Sequence, residues 1–146
     1  MSVKISLTGV KEIDAVLRGL PLQFSESILF QTHKDAAFPL VSAAHMLAPV
    51  GETGNLAESI GTERVGVKRG GEIGSVAVGP RRSGGFKGFH AHLIEFGKTN
   101  RDGTKTAPRP FMEPAFNNTK GEVERGIASS LAKRTYNFIR RTIKNG

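Results

Sequence analysis

The chain has 146 residues, enough for one compact domain with one hydrophobic core. Apolar residues make up 38% of it and aromatic residues 7%, so we expect a modest core and some apolar surface buried against partner chains. The chain has no cysteine, which excludes a disulfide scaffold, a thiol nucleophile and any cysteine-ligated metal site. Neither a signal peptide nor a run of apolar residues long enough for a bilayer is visible, which predicts a soluble protein made in a reducing cytoplasm.

The net charge of +8 is distributed unevenly along the chain. Residues 1–63 carry four basic and seven acidic side chains, residues 64–109 carry ten and three, and residues 110–146 carry seven and three. Like charges so close in sequence repel one another unless an opposite charge lies beside them. The middle segment is therefore either a solvated basic loop or a surface for an anionic partner.

The first third of the chain has the periodicity of a short strand followed by helices. Val3–Leu7 alternates between apolar and polar residues, as a half-buried strand does, and Val10–Leu20 has the three-to-four residue spacing of an amphipathic helix. Leu22–Leu47 continues as one apolar stripe at helical spacing. Pro39 removes a backbone hydrogen bond and clashes with the preceding turn, so we expect a kink or break close to Phe38.

A short turn and a hairpin are predicted next. Thr53 is placed to cap a helical turn that runs to Ile60. Thr62–Lys68 and Glu72–Val78 are rich in valine and alternate, with Arg69-Gly70-Gly71 as the connecting turn. This pattern predicts an antiparallel strand pair.

Two basic loops flank a short apolar segment in the second half of the chain. Residues 79–88 and 97–109 are rich in turn residues and cations, and we expect both to be exposed. Phe89–Phe96 between them fits either a short helix or a third strand, because periodicity cannot decide at this length.

The last predicted element is a helix that starts at Pro110. One face of it carries an apolar stripe at steps of seven and four residues, namely Phe116, Val123, Ile127, Leu131 and Phe138. Gly121 and Gly126 each cost such a helix about 1 kcal/mol relative to alanine, so tertiary packing must hold it. Residues 133–146 form a basic tail.

No arrangement of residues argues for catalysis. His90, His92 and Glu95 are the one cluster of metal-ligand types, and the two histidines share a face only on a strand. A metal-dependent nuclease built on them is one hypothesis, but a closed site needs further ligands. The Gly-x-Ser-x-Gly motif of a nucleophilic serine is absent, and no two carboxylates have a spacing that marks them as a pair for acid–base catalysis. The sequence therefore predicts no enzyme, no cofactor and no metal site.

The basic loops form a candidate interaction arm with interleaved aromatic residues. Together with the basic tail from Lys133 to Lys144, they could neutralise nucleic-acid phosphates without sequence preference, which makes the chain a candidate sequence-independent nucleic-acid-binding protein. They could equally meet an acidic patch on a neighbouring subunit. The residues concerned are Arg81, Arg82, Phe86, Lys87, Lys98, Arg101, Lys105 and Arg109.

Three ordered blocks form the most specific pattern of the sequence. They begin at Ala48 (Ala-Pro-Val-x-x-Thr-Gly-Asn-Leu-x-x-Ser-Ile), at Ala91 (Ala-His-Leu-Ile-Glu-Phe-Gly) and at Pro108 (Pro-Arg-Pro-Phe-Met-x-Pro-Ala). A long helical pattern precedes them and another follows. As an ordered set they resemble the tailed-phage family of gene-10-type tail components, the neck or tail-completion proteins of long-tailed siphophages.

The resemblance implies a fold and a non-enzymatic role in the virion. The expected fold is a single α+β domain over residues 1–146, with a small, mostly antiparallel sheet flanked by a long N-terminal helix and a C-terminal helix. The expected assembly is a ring, most plausibly a hexamer, that joins the capsid connector to the tail at the head-tail junction. Implied partners are other copies of the chain, a head-tail connector or head-completion protein, tail terminator or tail tube proteins, and passing double-stranded DNA, with no membrane.

The resemblance also assigns the motif residues an architectural part. The first block would start the sheet, the second would close it and the third would open the C-terminal helix. Gly97 suits a positive φ, Phe96 and Phe111 would be buried anchors, and Glu95 would pair with a cation or a backbone donor. The full set is Thr53, Gly54, Leu56, Ser59, Ile60, His92, Glu95, Phe96, Gly97, Pro110, Phe111, Pro114 and Ala115.

Overall fold

The computed structural model describes residues 22–66 and 74–145 of the chain. Long helices and two small antiparallel sheets make it an α+β fold, as the sequence predicts. The strand predicted over Val3–Leu7 and the helix over Val10–Leu20 lie outside the described residues. The elements in chain order are α1 (Leu22–Ala36), α2 (Phe38–Leu47), α3 (Asn55–Ser59), β1 (Ile60–Arg64), β2 (Val76–Pro80), a 3₁₀ turn (Gly88–His90), α4 (Ala91–Phe96), β3 (Lys98–Thr99), β4 (Lys105–Thr106) and α5 (Met112–Asn145).

The break between α1 and α2 confirms the effect predicted for Pro39. α1 ends at Ala36 and α2 begins at Phe38, with proline in its first turn. The interruption is slight, because the Ala37 N–H still donates to the His33 carbonyl and the Ala37 carbonyl accepts from Val41. Proline has no N–H to donate, and it is tolerated in a first turn where such a donor would be unpaired. α2 ends before Pro49, also as predicted.

The β1–β2 pair confirms the predicted hairpin. The strands are antiparallel, with Glu63 opposite Ala77 and Arg64 opposite Val76. The pairing reaches further toward Pro80 than the sequence predicted and ends earlier on the turn side. The predicted turn at residues 69–71 lies outside the described residues.

Polar contacts and one cation–π contact join helix α1 to the β1–β2 hairpin. Arg64 on β1 forms an ion pair with Glu26, and its guanidinium lies 5.2 Å from the centre of the Phe30 ring. The His33 Nδ1 lies 2.9 Å from the Gly74 carbonyl oxygen, just before β2. These contacts fix the first helix across the strand pair.

The segment over Phe89–Phe96 is helical, which decides between the two alternatives that periodicity left open. A 3₁₀ turn leads into α4, and Ala91 is its buried residue. The second predicted basic loop is not wholly irregular, because β3 and β4 pair within it, with Lys98 opposite Thr106. We call residues 98–106 the tongue.

Helix α5 begins at Met112, just after Pro110 as predicted, and continues through the basic tail to Asn145. The predicted apolar stripe faces the protein except at its first residue. Val123 packs against the core, and Ile127, Leu131 and Phe138 are half-buried, whereas Phe116 is 53% exposed. In the described part of the chain, no helix is both long enough and apolar enough to cross a bilayer.

The hydrophobic core lies where α2, α3, β1, α4 and the start of α5 meet. Phe111 is its largest side chain, at 1% exposure, and alanine supplies more than half of its members. Small side chains allow the helices to pack closely but bury little apolar area each. The core residues are Leu40, Ala44, Ala48, Leu56, Ala57, Ile60, Ala91, Phe111 and Ala115.

Candidate functional site

An apolar groove lies where the three sequence motifs meet, and we call it the motif groove. Its volume is about 450 Å³. The turn after α2 and the start of α3 form one wall, α4 forms the second, and the base of the tongue forms the third. The lining residues are Pro49, Val50, Gly51, Thr53, Gly54, Asn55, Leu56, His90, Leu93, Ile94, Lys98, Thr106, Ala107 and Arg109.

The groove is apolar inside and cationic at its rim. None of the described residues that line it is a carboxylate, and its charged side chains are Lys98 and Arg109. Both belong to the arm residues singled out in the sequence. The fold thus brings part of the first motif block, part of the second and two arm cations to one concave surface.

The outer face of α4 adds exposed apolar side chains beside the groove. Phe89, Leu93 and Phe96 recur at helical spacing, so they share one face, while Ala91 and Ile94 face the core. Phe89 is 62% exposed, Phe96 is 79% exposed, and Val50 across the groove is 80% exposed. Apolar side chains that group in this way on a protein surface are typical of an interaction site.

Phe96 is therefore not the buried anchor that the motif suggested, whereas Phe111 is. The difference arises because the second block forms a helix, and Phe96 lies on its outward face. The same block does not close the sheet, since it precedes the tongue as α4. Gly97 does have the expected positive φ, at 75°, and a Cβ there would lie 2.5 Å from the Thr106 carbonyl oxygen.

Glu95 caps the N-terminus of α5. One carboxylate oxygen, Oε2, accepts hydrogen bonds from the N–H groups of Phe111 (2.9 Å) and Met112 (3.2 Å). The other, Oε1, accepts from Glu113 N–H at 3.1 Å. The first N–H groups of a helix have no partner within it, and the helix dipole favours a negative charge there. Glu95 thus joins α4 to α5 through backbone donors, one of the two kinds of partner expected from the sequence.

The first motif block starts a helix rather than the sheet. Thr53 does not cap α3, because Gly54 is the N-cap, with φ 63°, and no side chain caps the helix. Ser59 at the other end of α3 is fully buried, and its hydroxyl donates to the Leu56 carbonyl at 2.6 Å. β1 begins at the next residue, Ile60, so the block ends where the sheet starts.

Arg81 is held against the body of the protein. Its N–H and its Nε donate to the Ser59 carbonyl at 2.9 and 3.1 Å, and its guanidinium stacks 3.6 Å from the centre of the Phe86 ring. Gly88 closes this loop by donating to the Arg81 carbonyl at 3.0 Å. Arg81 and Phe86 thus shape the loop, which leaves Arg82 and Lys87 as its exposed cations.

The tongue carries exposed cations on a structured hairpin. Residues 101–110 are all exposed, Lys105 and Arg101 among them. At its tip, Asp102 accepts from the Thr104 hydroxyl at 2.6 Å and from the Thr104 N–H at 2.9 Å, and these bonds lower the pKa of Asp102 below 3.8. The tip is therefore ordered by its own hydrogen bonds.

The histidine cluster does not assemble as a metal site would. His92 is exposed, its Nδ1 lies 3.1 Å from the Phe89 carbonyl oxygen, and the Glu95 carboxylate is occupied by α5. Across residues 22–66 and 74–145, no group of three or more potential ligands is placed to hold a metal ion.

The motif groove itself was not predictable from the sequence. Thr106 and Ala107 reach it only because the tongue folds back toward α4, and neither belongs to a sequence motif.

The residues of the third motif block differ in burial. Pro110 is exposed and Pro114 is half-buried in the first turn of α5, while Ala115 is fully buried against the core. The third block does open α5, as expected.

Comparison with protein families gives a match over half of the chain. The family model HK97-gp10_like, described as "Bacteriophage HK97-gp10, putative tail-component", matches residues 25–97, which is half of the chain. The matched region runs from α1 through α4 and contains the first two motif blocks. No curated protein and no solved structure gives a significant match.

Proposed function

Because the chain belongs to the bacteriophage HK97 gp10-like family of tail components, we propose that it is a non-enzymatic structural protein that forms a ring of six copies at the head-tail junction. In this role it joins the capsid connector to the tail of the virion. Its partners are neighbouring copies, a connector or head-completion protein on one side and tail terminator or tube proteins on the other.

The observation that carries the proposal is the exposed apolar surface around the motif groove. Phe89 projects from the 3₁₀ turn that leads into α4, Phe96 projects from the end of α4, and Val50 lies exposed at the groove. Leaving such side chains in water forgoes roughly 25 cal/mol for each Å² of apolar area that a partner could cover. Covering these exposed side chains would add stability to a protein whose alanine-rich core buries little apolar area.

A closed ring needs two different patches on each copy, since each interface joins one face of a subunit to another face of the next. The motif groove and the outer face of α4 supply the first patch. An exposed aromatic residue on another element, Phe116 on α5, is a candidate for the second. The cationic rim of the groove favours a neighbouring surface that carries carboxylates.

The test is assembly of the purified protein with and without a change at this surface. Phe96→Ser removes one exposed ring while leaving the core intact, so we expect a folded monomer in size-exclusion chromatography and no rings in negative-stain images. Wild-type protein is expected to give closed rings, alone or after mixing with purified tails.

Phe38→Ser is the matched control, because Phe38 is similarly exposed, at 72%, but lies on α2 rather than α4. Equal loss of assembly in both variants would mean that general surface hydrophobicity, not the motif groove, drives association. A strictly monomeric wild-type protein in the presence of connectors and tails would contradict the ring.

A further inference from the structure

The C-terminal half of α5 carries a concentration of positive charge, most of it without an ionic partner among the described residues. From Arg125 to Lys144 the chain has six cationic side chains and no carboxylate. Arg134 alone among them has a described ionic partner, Asp35 on α1, and its Nε also lies 3.3 Å from the Ser130 hydroxyl. The other five cations are exposed.

Three of these cations lie on one face of the helix. Lys133, Arg140 and Lys144 are separated by seven and four residues, so they point the same way and span about 16 Å along the helix axis. This face is opposite Thr135, which is buried at 3% exposure. Among the described residues, no acidic side chain forms an ion pair with any of the three.

Neutral hydrogen-bond donors lie between the cations. Tyr136 is 63% exposed, and Asn137 is exposed beside it. Tyr136 shares a shallow depression with Ile139, Arg140 and Lys144. Asn137 shares another with Lys133 and Ser129, and that depression is also lined by Asp35, the ionic partner of Arg134. Hydroxyl and amide side chains beside lysine and arginine are the groups that contact phosphates in protein–DNA interfaces.

We propose that this surface, the α5 cationic face (Lys133, Tyr136, Asn137, Arg140 and Lys144), binds the phosphate backbone of double-stranded DNA without sequence preference. Duplex DNA carries one negative charge for about every 1.7 Å of its axis, so a row of cations about 16 Å long lies against several phosphates at once. This binding goes beyond the structural role proposed above and does not depend on a ring.

Two features favour DNA over a membrane and place the contact on α5. A helix that lies on a membrane inserts its apolar face, and the apolar face of α5 is packed against α1 and the core, where Gly126 contacts Ala36 and Val123 contacts the core. The loops are less suited, because Arg81 is held by Ser59 and Phe86 and the tongue contains Asp102.

The experiment is a salt titration of binding to a fluorescent mixed-sequence duplex, followed by anisotropy. The test variant combines Lys133→Gln, Arg140→Gln and Lys144→Gln. The control combines Lys87→Gln, Arg101→Gln and Lys105→Gln, which removes the same number of lysines and arginines from the exposed loops. Both variants lower the net charge equally, and circular dichroism melts verify that both are folded.

We expect the α5 variant to bind DNA at least tenfold more weakly than wild type at low salt. The slope of log affinity against log salt concentration should fall by about 2.7, because each phosphate that a cation neutralises contributes about 0.9 to that slope. The loop control should retain the wild-type slope. Oligomeric state is measured in the same samples, so that only species of equal size are compared.

Four outcomes would overturn the proposal. Equal weakening in both variants would show that net charge alone attracts DNA. Absence of wild-type binding at low salt would show that the cations face another partner. Tighter wild-type binding to polyglutamate than to the duplex would indicate that the partner is an acidic protein surface. Tighter binding to phosphatidylserine vesicles would indicate that it is a membrane.

Discussion

At the scale of single residues, Glu95 links the second motif block to the third. It lies on α4, yet its carboxylate accepts hydrogen bonds from three backbone N–H groups at the start of α5. The neighbouring Arg109 N–H donates to the Ile94 carbonyl at 2.8 Å, which fixes the same junction. The acidic residue of the second block thus has a structural role, which is to cap α5.

Replacing Glu95 should destabilise the fold without changing its surface. Glu95→Ala leaves three N–H groups without their acceptor, and we expect a loss of about 2 kcal/mol in the free energy of unfolding. Glu95→Gln keeps one acceptor but loses the charge, and we expect about 1 kcal/mol. Urea denaturation measures both.

Glu113→Gln is the control, because Glu113 is an exposed carboxylate in the same first turn of α5. Its effect should stay within about 0.5 kcal/mol. If Glu95→Ala were as mild as Glu113→Gln, the cap would contribute nothing to stability.

Two buried hydroxyl groups between the long helices are unpaired. Thr32 is fully buried on α1, Thr135 is nearly so on α5, and neither hydroxyl has a hydrogen-bond partner within the described structure. Thr32→Val and Thr135→Val keep the side-chain shape and remove that unpaired group. Thermal and urea unfolding should show unchanged stability or a gain of up to about 1 kcal/mol. A clear loss would reveal a partner for the hydroxyl.

At the scale of elements, the packing of α1 against α5 decides at which of the two helical glycines the side chain must stay small. A Cβ at Gly126 would lie 3.4 Å from Ala36 on α1, whereas a Cβ at Gly121 would meet nothing within 4 Å. Close approach of the helices therefore requires a small residue at one position only. Gly121 is a site where glycine merely weakens the helix.

Substitutions at the two glycines should have opposite signs. Gly121→Leu should stabilise the protein by up to about 1 kcal/mol through helix propensity. Gly126→Leu should cost about 1–3 kcal/mol, because it forces α1 away from α5. Chemical denaturation of both variants, with Gly121→Ala for comparison, tests the difference. Equal effects would contradict the close contact with Ala36.

At the scale of the whole molecule, a small alanine-rich core coexists with several large exposed apolar side chains. Eight large apolar side chains are exposed in the described structure, among them Phe38, Met46, Val50 and Phe96. A monomer with this distribution should be only modestly stable. Assembly that covers part of the surface should raise its stability by mass action.

The melting temperature should therefore depend on protein concentration. If wild-type protein associates before it unfolds, a tenfold increase in concentration should raise Tm by about 4 °C. Phe96→Ser should remove most of that dependence while keeping the Tm of the dilute protein. Differential scanning fluorimetry over a concentration series measures both, and a concentration-independent wild-type Tm would argue against assembly through the groove.

The elements with local signals were predictable from the order of residues alone. The proline near Phe38 breaks the long helix, the alternating valines pair as a hairpin, and the helical spacing after Pro110 gives α5, because each pattern extends over a few neighbouring residues. The ordered motifs also pointed to the phage tail-component family. None of these conclusions required knowledge of which segments meet in space.

The contacts between distant segments depend on the folded arrangement of the chain and were not predictable from its sequence. The folded arrangement made the Phe89–Phe96 segment a helix, turned Phe96 outward, occupied the Glu95 carboxylate with the start of α5 and fixed Arg81 against Ser59. It also folded the tongue back to complete the motif groove. A residue's burial and partners depend on what packs against it from elsewhere in the chain, and that information is absent from the local spacing of residue types.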